Sequence, residues 1–127
     1  MTSKTILLAE DSEDVIYLLK FSLERSGYNV IVVNNGIEAL EVLDSFIPDL
    51  LITDLLMPGM NGFELLEEVA KRKIQVKTIV LALQKSDEDI LRSLGFGAMD
   101  FIQKPFSPRE VVARINGIMA RSIKDVG

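Results

Sequence analysis

Short apolar runs alternate with amphipathic segments along the whole chain, which predicts a regular succession of β-strands and α-helices. The run at Leu50 has no polar alternation, which is typical of a parallel strand covered by helices on both faces. The run at Thr78 has the same continuous apolar character. The segments predicted to form strands are Thr5 to Ala9, Tyr28 to Val33, Leu50 to Thr53, Thr78 to Leu83 and Asp100 to Gln103.

A segment with helical spacing or a helix-start motif follows each predicted strand. The first of these helices carries an apolar face made of Val15, Leu18, Leu19 and Leu23. The predicted helices run from the acidic turn after Ala9 to Gly27, from Asn35 to about Phe46, from about Phe63 to Arg72, from the cap Ser86 to Gly95 or Gly97, and from Ser107 nearly to the end of the chain. Ser107 and Glu110 have the spacing of a capping box, with Pro108 at the first helical position.

Strict alternation of strands and helices with short connections indicates a parallel sheet, because each right-handed crossover must carry a helix. We predict a single α/β domain over residues 1–127, with a doubly wound, five-stranded parallel sheet in the order 2-1-3-4-5. In that order the topological switch point lies between strands 1 and 3. A ligand site is therefore expected where the carboxyl ends of these two strands meet.

Three acids occupy that expected site. Glu10 and Asp11 follow the first strand, and Asp54 follows the third. Converging carboxylates repel each other, so either some are protonated or a hard cation lies among them. Magnesium suits such a site, since it prefers a few carboxylates, a carbonyl and retained waters. Lys104 follows the fifth strand at the same edge, where its ammonium can bind a phosphate group.

Composition narrows the chemistry to carboxylates. The 127 residues include no histidine and no cysteine, which excludes histidine-based triads and thiolate metal sites. The net charge of -5 disfavours nonspecific nucleic-acid binding, which needs a basic surface. No apolar run approaches the ~20 residues of a membrane span, and the first residues reach acids too early for a signal peptide. A cytoplasmic protein is expected.

These motifs together resemble the receiver domain of two-component response regulators, over essentially all 127 residues. The resemblance depends on the acid pair Glu10 and Asp11, on the sequence TDLLMPGMNG around Asp54, and on the late segment FIQKPFSPREVVARI. Each motif is common by itself, but their order and spacing are specific. The implied fold is the flavodoxin-like (βα)5 fold.

The resemblance also implies roles for individual residues. Asp54 would accept a phosphoryl group from the phosphohistidine of a sensor histidine kinase or a phosphotransfer protein. Asp11, Asp54 and the backbone carbonyl of Leu56 would bind magnesium directly, and Glu10 would act through water. Lys104 would pair with the phosphoryl oxygens, with a cis bond to Pro105. Phe101 would change rotamer on activation, and catalysis would be limited to the domain's own phosphorylation and dephosphorylation.

This chain departs from the receiver pattern at the end of the fourth strand. Most receivers carry Thr or Ser there, followed by a small residue, whereas this chain has Ala82 and Leu83. Ala82 has no hydroxyl to bind the phosphoryl group, and we expect Leu83 to crowd the space beside it. Phosphorylation would then be slow, weakly coupled to the output, or absent. Alternatively, the site takes phosphate and signals through Lys104 and Phe101 alone.

Two classes of function follow. The first is a phosphorylatable receiver that switches a partner-binding face formed by the fourth helix, fifth strand and fifth helix. The second is a pseudo-receiver, a constitutive protein-interaction module with idle acids.

The resemblance to the winged-helix class of regulators further implies a symmetric dimer through that face, with Asp100 and Arg114 pairing across it near Glu110. A small-molecule enzyme is disfavoured, because the chain has no glycine-rich phosphate loop. A haloacid-type phosphatase would need a second Asp where this chain has Leu56.

Overall fold

A computed structural model of the chain describes residues 3–83 and 86–120. Strands and helices alternate through these residues, as the apolar pattern predicts. The strands are β1 (Thr5–Ala9), β2 (Asn29–Val33), β3 (Leu50–Asp54), β4 (Thr78–Ala82) and β5 (Asp100–Gln103). The helices are α1 (Glu13–Arg25), α2 (Gly36–Ser45), α3 (Gly62–Lys71), α4 (Asp87–Gly95) and α5 (Pro108–Met119).

The five strands form one parallel sheet in the order β2-β1-β3-β4-β5, which confirms the predicted topology. β1 lies between β2 and β3, with Leu7 paired to Ile31 on one side and to Leu51 on the other. The carboxyl ends of β1 and β3 are therefore adjacent. This adjacency places the residues that follow the two strands at one edge of the sheet.

Helices cover both faces of the sheet. On one face α1 and α5 pack against alternate strand residues such as Ile6 and Ile52. On the other face α2 and α3 pack against Leu7 and Leu51. Full burial of such side chains stabilises a fold by about 1.5–3 kcal/mol each, so the two-sided covering sets the strand register.

The structure corrects several predicted boundaries. Tyr28 lies outside β2, and Leu83 lies outside β4, while Asp54 is the last residue of β3. The Ser107 hydroxyl makes no capping hydrogen bond, so the predicted capping box of α5 is wrong; Glu110 instead accepts a hydrogen bond from the Arg114 guanidinium at 2.8 Å. The last turn of α5 was predicted to extend beyond residue 120, which is outside the described residues.

One predicted core position also differs. Leu18 belongs to the apolar face expected for α1, but it is 40% exposed, whereas Leu19 and Leu23 are fully buried. In contrast, the helix starts predicted at Asn35 and Ser86 are confirmed, since each side chain accepts a backbone hydrogen bond in the first turn of its helix. The side chains of Ser12 and Asn61 cap α1 and α3 in the same way. No helix among residues 3–83 and 86–120 has the length and apolar character needed to cross a membrane.

Candidate functional site

Three carboxylates meet at the carboxyl edge of the sheet. Glu10 follows β1 directly, Asp11 is next to it, and Asp54 ends β3. One carboxylate oxygen from each of the three lies within 4.8 Å of the other two. Glu10 and Asp54 are buried, while Asp11 is exposed. The structure thus brings together the three acids that the strand order predicts to converge.

Glu10 is fixed at both its backbone and its carboxylate. Its backbone N–H donates to the Val33 carbonyl at 3.0 Å, and its own carbonyl accepts from the Asn34 side-chain amide at 3.3 Å. One carboxylate oxygen accepts from the Asp11 backbone N–H at 3.0 Å, and the other accepts from the Lys104 ammonium at 2.5 Å. The end of β2 therefore holds Glu10 in place although Glu10 follows a different strand.

Lys104 lies between the two buried acids. Its backbone N–H donates to the Ala82 carbonyl at 2.7 Å, which attaches the end of β5 to the end of β4. Its ammonium is 3.2 Å from an Asp54 carboxylate oxygen, in addition to the contact with Glu10. The peptide bond to Pro105 is cis, as the resemblance implied. The cation that was expected beside a phosphoryl group is thus already paired with two carboxylates.

Burial changes the proton affinity of this cluster. Removal of the Glu10 carboxylate from water raises its pKa to about 7, from the ordinary value of 4.5. The hydrogen bond from Lys104 acts in the opposite direction, while the neighbouring Asp54 raises the pKa further. The charged form of Glu10 is favoured by the Lys104 ammonium and by the Asp11 backbone N–H, but a buried carboxylate loses its hydration. The cluster therefore carries less negative charge near neutral pH than three acids would suggest.

The loop after Asp54 is tightly joined to the sheet and to α3. The Leu55 backbone N–H donates to the Leu81 carbonyl at 3.1 Å, and the Gly62 N–H donates to the Leu55 carbonyl at 2.9 Å. The Thr53 hydroxyl donates to the Asp54 carbonyl at 2.9 Å. A Cβ atom at Gly62 would lie only 2.3 Å from that same Asp54 carbonyl oxygen. Only glycine allows α3 to begin this close to the backbone of Asp54.

An open cleft of about 480 Å³ lies above Asp54, and we call it the acid cleft. Leu56 and Leu83 are 71% and 65% exposed at its rim, so both leucines are largely in solvent. Leu83 both lines the cleft and is largely exposed, and its crowding of the space beside a phosphoryl group stays a prediction. The residues that line the acid cleft are Asp11, Ser12, Asp54, Leu55, Leu56, Phe63, Ala82, Leu83, Asp89 and Lys104.

Ala82 and Phe101 connect the acid cleft with the core. Ala82 is buried, and it shares an apolar cluster with Phe101, Val80 and Leu66. Phe101 is only 4% exposed, so its ring is packed inward in this structure. No hydroxyl stands at position 82 to bind a ligand in the acid cleft. The two residues expected to take part in switching are therefore adjacent parts of one buried cluster.

Some residues of the site were not singled out from the sequence. Asn34 binds the backbone of Glu10, and Asp89, in the first turn of α4, lines the acid cleft. Phe63 forms part of the same wall, with the Arg92 guanidinium 4.1 Å from its ring centre. Asn34 follows β2 at the same edge of the sheet as Glu10. Its place after a predicted strand could therefore have indicated that it belongs to the site. Nothing in the local pattern of α4 shows which way Asp89 faces.

The charges predicted to pair across a dimer are paired within the chain. One nitrogen of the Arg114 guanidinium is 3.1 Å from both carboxylate oxygens of Asp100, and the other is 2.8 Å from Glu110. The charge of Asp100 is the main cause that raises the pKa of Arg114 above its ordinary value. This pairing orients the three side chains on the surface of β5 and α5.

The chain is similar in sequence to known proteins. A family model described as the response regulator receiver domain matches residues 6–116. The chain belongs to the response regulator receiver family. It is 38% identical over 120 residues to the alkaline phosphatase synthesis transcriptional regulatory protein PhoP of Bacillus subtilis, covering 94% of this chain and 50% of PhoP. It is 34% identical over 119 residues to the response regulator SaeR of Staphylococcus aureus, covering 94% of this chain and 52% of SaeR.

Solved receiver structures have the same fold. A putative response regulator from Chloroflexus aurantiacus superposes with a TM-score of 0.87 at 32% identity, covering 94% of this chain and 100% of that one. A CheY-like receiver domain protein from Methanospirillum hungatei gives a TM-score of 0.89 at 29% identity, with 99% and 100% covered. The chain spans about half the length of the curated relatives PhoP and SaeR.

Proposed function

We propose that this receiver domain accepts a phosphoryl group on Asp54 from a histidine kinase or phosphotransfer protein and thereby switches a partner-binding face. The main support is the position of the Asp54 carboxylate, which lines an open cleft and lies 3.2 Å from the Lys104 ammonium. These 127 residues include no histidine, so the phosphoryl donor lies outside them, on a phosphohistidine or a small acyl phosphate.

In the proposed reaction, an Asp54 carboxylate oxygen attacks the phosphorus atom of the donor. A phosphorus–oxygen bond to Asp54 forms as the phosphorus–nitrogen bond of the donor phosphohistidine breaks, and the imidazole leaves. The work of the domain is positioning and charge stabilisation rather than proton transfer. The hydrogen bonds at Leu55 and Gly62 hold the Asp54 backbone for this attack.

The acid cluster fits a magnesium ion. Glu10, Asp11 and Asp54 supply carboxylate oxygens close enough together for one small cation, and hard oxygen ligands are the set that Mg²⁺ prefers. We propose Asp11, Asp54 and the Leu56 carbonyl as direct ligands, with Glu10 acting through water. When bound, Mg²⁺ would neutralise charge on the carboxylates and on the transferred phosphoryl oxygens.

Lys104 is the proposed partner of the phosphoryl group. Its ammonium lies beside the Asp54 carboxylate and is attached through the β5 backbone to Ala82. A shift of Lys104 from Glu10 towards a phosphoryl oxygen would therefore pull on the β4 and β5 ends together. This link supports a response at the face formed by α4, β5 and α5, in which Phe101 is the proposed switching aromatic.

We place the output on that face and propose that it also allows a symmetric dimer. Asp100, Arg114 and Glu110 are already oriented there by their mutual pairing. Exposed ion pairs are worth about 0.2–1 kcal/mol, so exchange of these partners between two copies would set orientation more than affinity. Light scattering that finds only monomer, with and without phosphorylation, would remove the dimer from the proposal. The relatives PhoP and SaeR are named as regulators, which is consistent with a cytoplasmic signalling role.

The decisive test is intact-mass measurement after incubation with acetyl phosphate. We expect the mass of one phosphoryl group to be added with Mg²⁺ and not with EDTA. Asp54→Asn should abolish the gain, whereas the matched control Asp44→Asn should retain it, since Asp44 pairs with Arg72 and does not line the acid cleft. A gain that survives in Asp54→Asn assigns the phosphoryl group to another residue. No gain in the parent protein, despite bound Mg²⁺, would favour the pseudo-receiver alternative.

A further inference from the structure

A groove that shares no lining residue with the acid cleft has a charge unlike that of the domain as a whole. It lies between α1 and α5 and has a volume of about 400 Å³. Arg25 of α1 and Arg109 of α5 line it, and none of its described lining residues is acidic. The whole chain carries 19 acidic and 14 basic residues, for a net charge of -5. Two cations therefore face one groove on an otherwise acidic protein.

Neither arginine has an acidic partner in the described part of the chain. Arg72 and Arg114 both form ion pairs with carboxylates within 4.0 Å, but Arg25 and Arg109 do not. The Arg25 guanidinium instead lies 5.6 Å from the ring centre of Phe21, one turn earlier on α1. That contact holds the cation beside an apolar surface and leaves its N–H donors available. Guanidinium groups in such positions are suited to bidentate binding of carboxylates.

The remaining lining is largely apolar. Phe21 is 50% exposed on the α1 side, and Pro108, Val112 and Ala113 line the α5 side. Arg109, Val112 and Ala113 are spaced by three and four residues, so they share one face of α5. An occupant of this groove would place apolar groups against this surface and anions at the two arginines.

We propose that this α1–α5 groove binds an acidic peptide segment of a partner protein, in which carboxylates flank one or two apolar side chains. The volume is at the small end of the ~300–1,000 Å³ range of ligand pockets, which suits one or two side chains. Charge complementarity selects this occupant over a nucleic acid or an anionic membrane. An extended polyanion would also meet other parts of a domain whose net charge is -5, whereas a short segment confines its carboxylates to the two arginines.

The proposal is independent of the acid cleft. None of the residues that line the groove lines the cleft, and peptide binding does not require phosphorylation of Asp54. A failure of phosphotransfer at Asp54 would therefore leave the peptide measurement unaffected. Conversely, the peptide measurement does not test whether Asp54 accepts a phosphoryl group.

The test uses the full chain labelled with ¹⁵N and a capped hexapeptide with two glutamates, leucine, phenylalanine and two glutamates. We expect saturable amide shift changes concentrated in residues 21–26 and 108–116. The combined variant Arg25→Gln, Arg109→Gln should weaken binding by about tenfold, since two exposed charge contacts are lost. The matched variant Lys4→Gln, Lys73→Gln removes two exposed cations outside the groove and should bind as the parent does.

Two control peptides separate the contributions of charge and apolar contact. Replacement of all glutamates by glutamine, or of leucine and phenylalanine by alanine, should each weaken binding. Raising the salt concentration should weaken the parent complex more than the complex of the double arginine variant.

Several results would overturn the proposal. These are the absence of saturable peptide binding, equal binding by the double arginine variant and the parent, or shift changes centred elsewhere. Self-association lost only in the double arginine variant, without peptide binding, would assign the groove to a second copy of the chain. Binding to vesicles that contain phosphatidylserine, without peptide binding, would assign it to a membrane surface.

Discussion

The Lys104 ammonium donates a hydrogen bond to the buried Glu10 carboxylate at 2.5 Å, joining the end of β5 to the end of β1 across the intervening strands β3 and β4. The same ammonium is 3.2 Å from Asp54. Lys104 therefore neutralises, in this structure, the carboxylates that a divalent cation would bind. Its charge is expected to matter for folding before any phosphoryl group arrives, which the sequence alone did not suggest.

Replacement of Lys104 tests this competition. Lys104→Met leaves Glu10 and Asp54 buried without a cation, and we expect a loss of about 3 kcal/mol in unfolding free energy above pH 7, and less where Glu10 is protonated. Added Mg²⁺ should then raise the melting temperature of Lys104→Met more than that of the parent. In the variant, Mg²⁺ no longer competes with the Lys104 ammonium for the carboxylates. Lys4→Met, at an exposed lysine, is the control. Equal Mg²⁺-induced shifts in parent and Lys104→Met would show that the two cations do not compete.

The raised pKa of Glu10 makes stability depend on pH. Between pH 4.5 and about 7 the folded state holds a proton on Glu10 that the unfolded state has released, so unfolding free energy should fall as pH rises through this window. The Glu10→Gln variant removes this group and should lose that part of the slope. Denaturant unfolding in EDTA at pH 5, 6, 7 and 8 measures the difference. Parallel pH profiles for the two proteins would mean that Glu10 has an ordinary pKa.

Gly62 allows the close contact between α3 and the Asp54 backbone. A methyl group there would lie 2.3 Å from the Asp54 carbonyl oxygen, so Gly62→Ala should destabilise the fold by about 1–3 kcal/mol and displace Asp54. Gly117→Ala is a matched control, since no atom of the described residues, apart from its chain neighbours and its own helix backbone, lies within 4 Å of its Cβ position in α5. Alanine there should stabilise by about 0.5–1 kcal/mol. Chemical denaturation and the rate of acetyl phosphate labelling report the two effects, and an unchanged Gly62→Ala protein would contradict the contact.

Ala82→Thr should strengthen the response to phosphorylation. A hydroxyl bonded to a charged phosphoryl oxygen is worth roughly 1.5–3 kcal/mol, which is about ten- to a hundredfold in the active-to-inactive ratio. The isosteric control Ala82→Val adds the same volume without the hydroxyl. Because Leu83 lies largely in solvent, adding Leu83→Ala should contribute little more.

The readout is the amide shift of α4, β5 and α5 residues on addition of beryllofluoride, a phosphoryl mimic. We expect larger shifts in Ala82→Thr than in the parent or Ala82→Val. A parent response as complete as that of Ala82→Thr would show that the missing hydroxyl is no handicap to switching.

Local sequence determined the elements, their order and the chemistry available at the site. Short continuous apolar runs are typical of strands covered on both faces, and their strict alternation with helices indicates a parallel sheet. The order 2-1-3-4-5 then places Glu10, Asp11 and Asp54 at one edge, since parallel strands end together. The side-chain caps at Asn61 and Ser86 were predictable because their hydrogen bonds span only three residues.

Only the tertiary structure decided which of these groups touch and how far each is exposed. The Lys104–Glu10 contact joins residues 94 positions apart, and no local pattern specifies the distance between two such side chains. The same holds for Leu18 and Leu83, whose exposure depends on which neighbouring elements cover them. The capping box predicted at Ser107 and Glu110 is wrong: the Ser107 hydroxyl makes no capping bond, and the Glu110 carboxylate binds Arg114, one turn later on α5. The types and spacing of residues determine which contacts can form. Competition among partners distant in sequence determines which contacts do form.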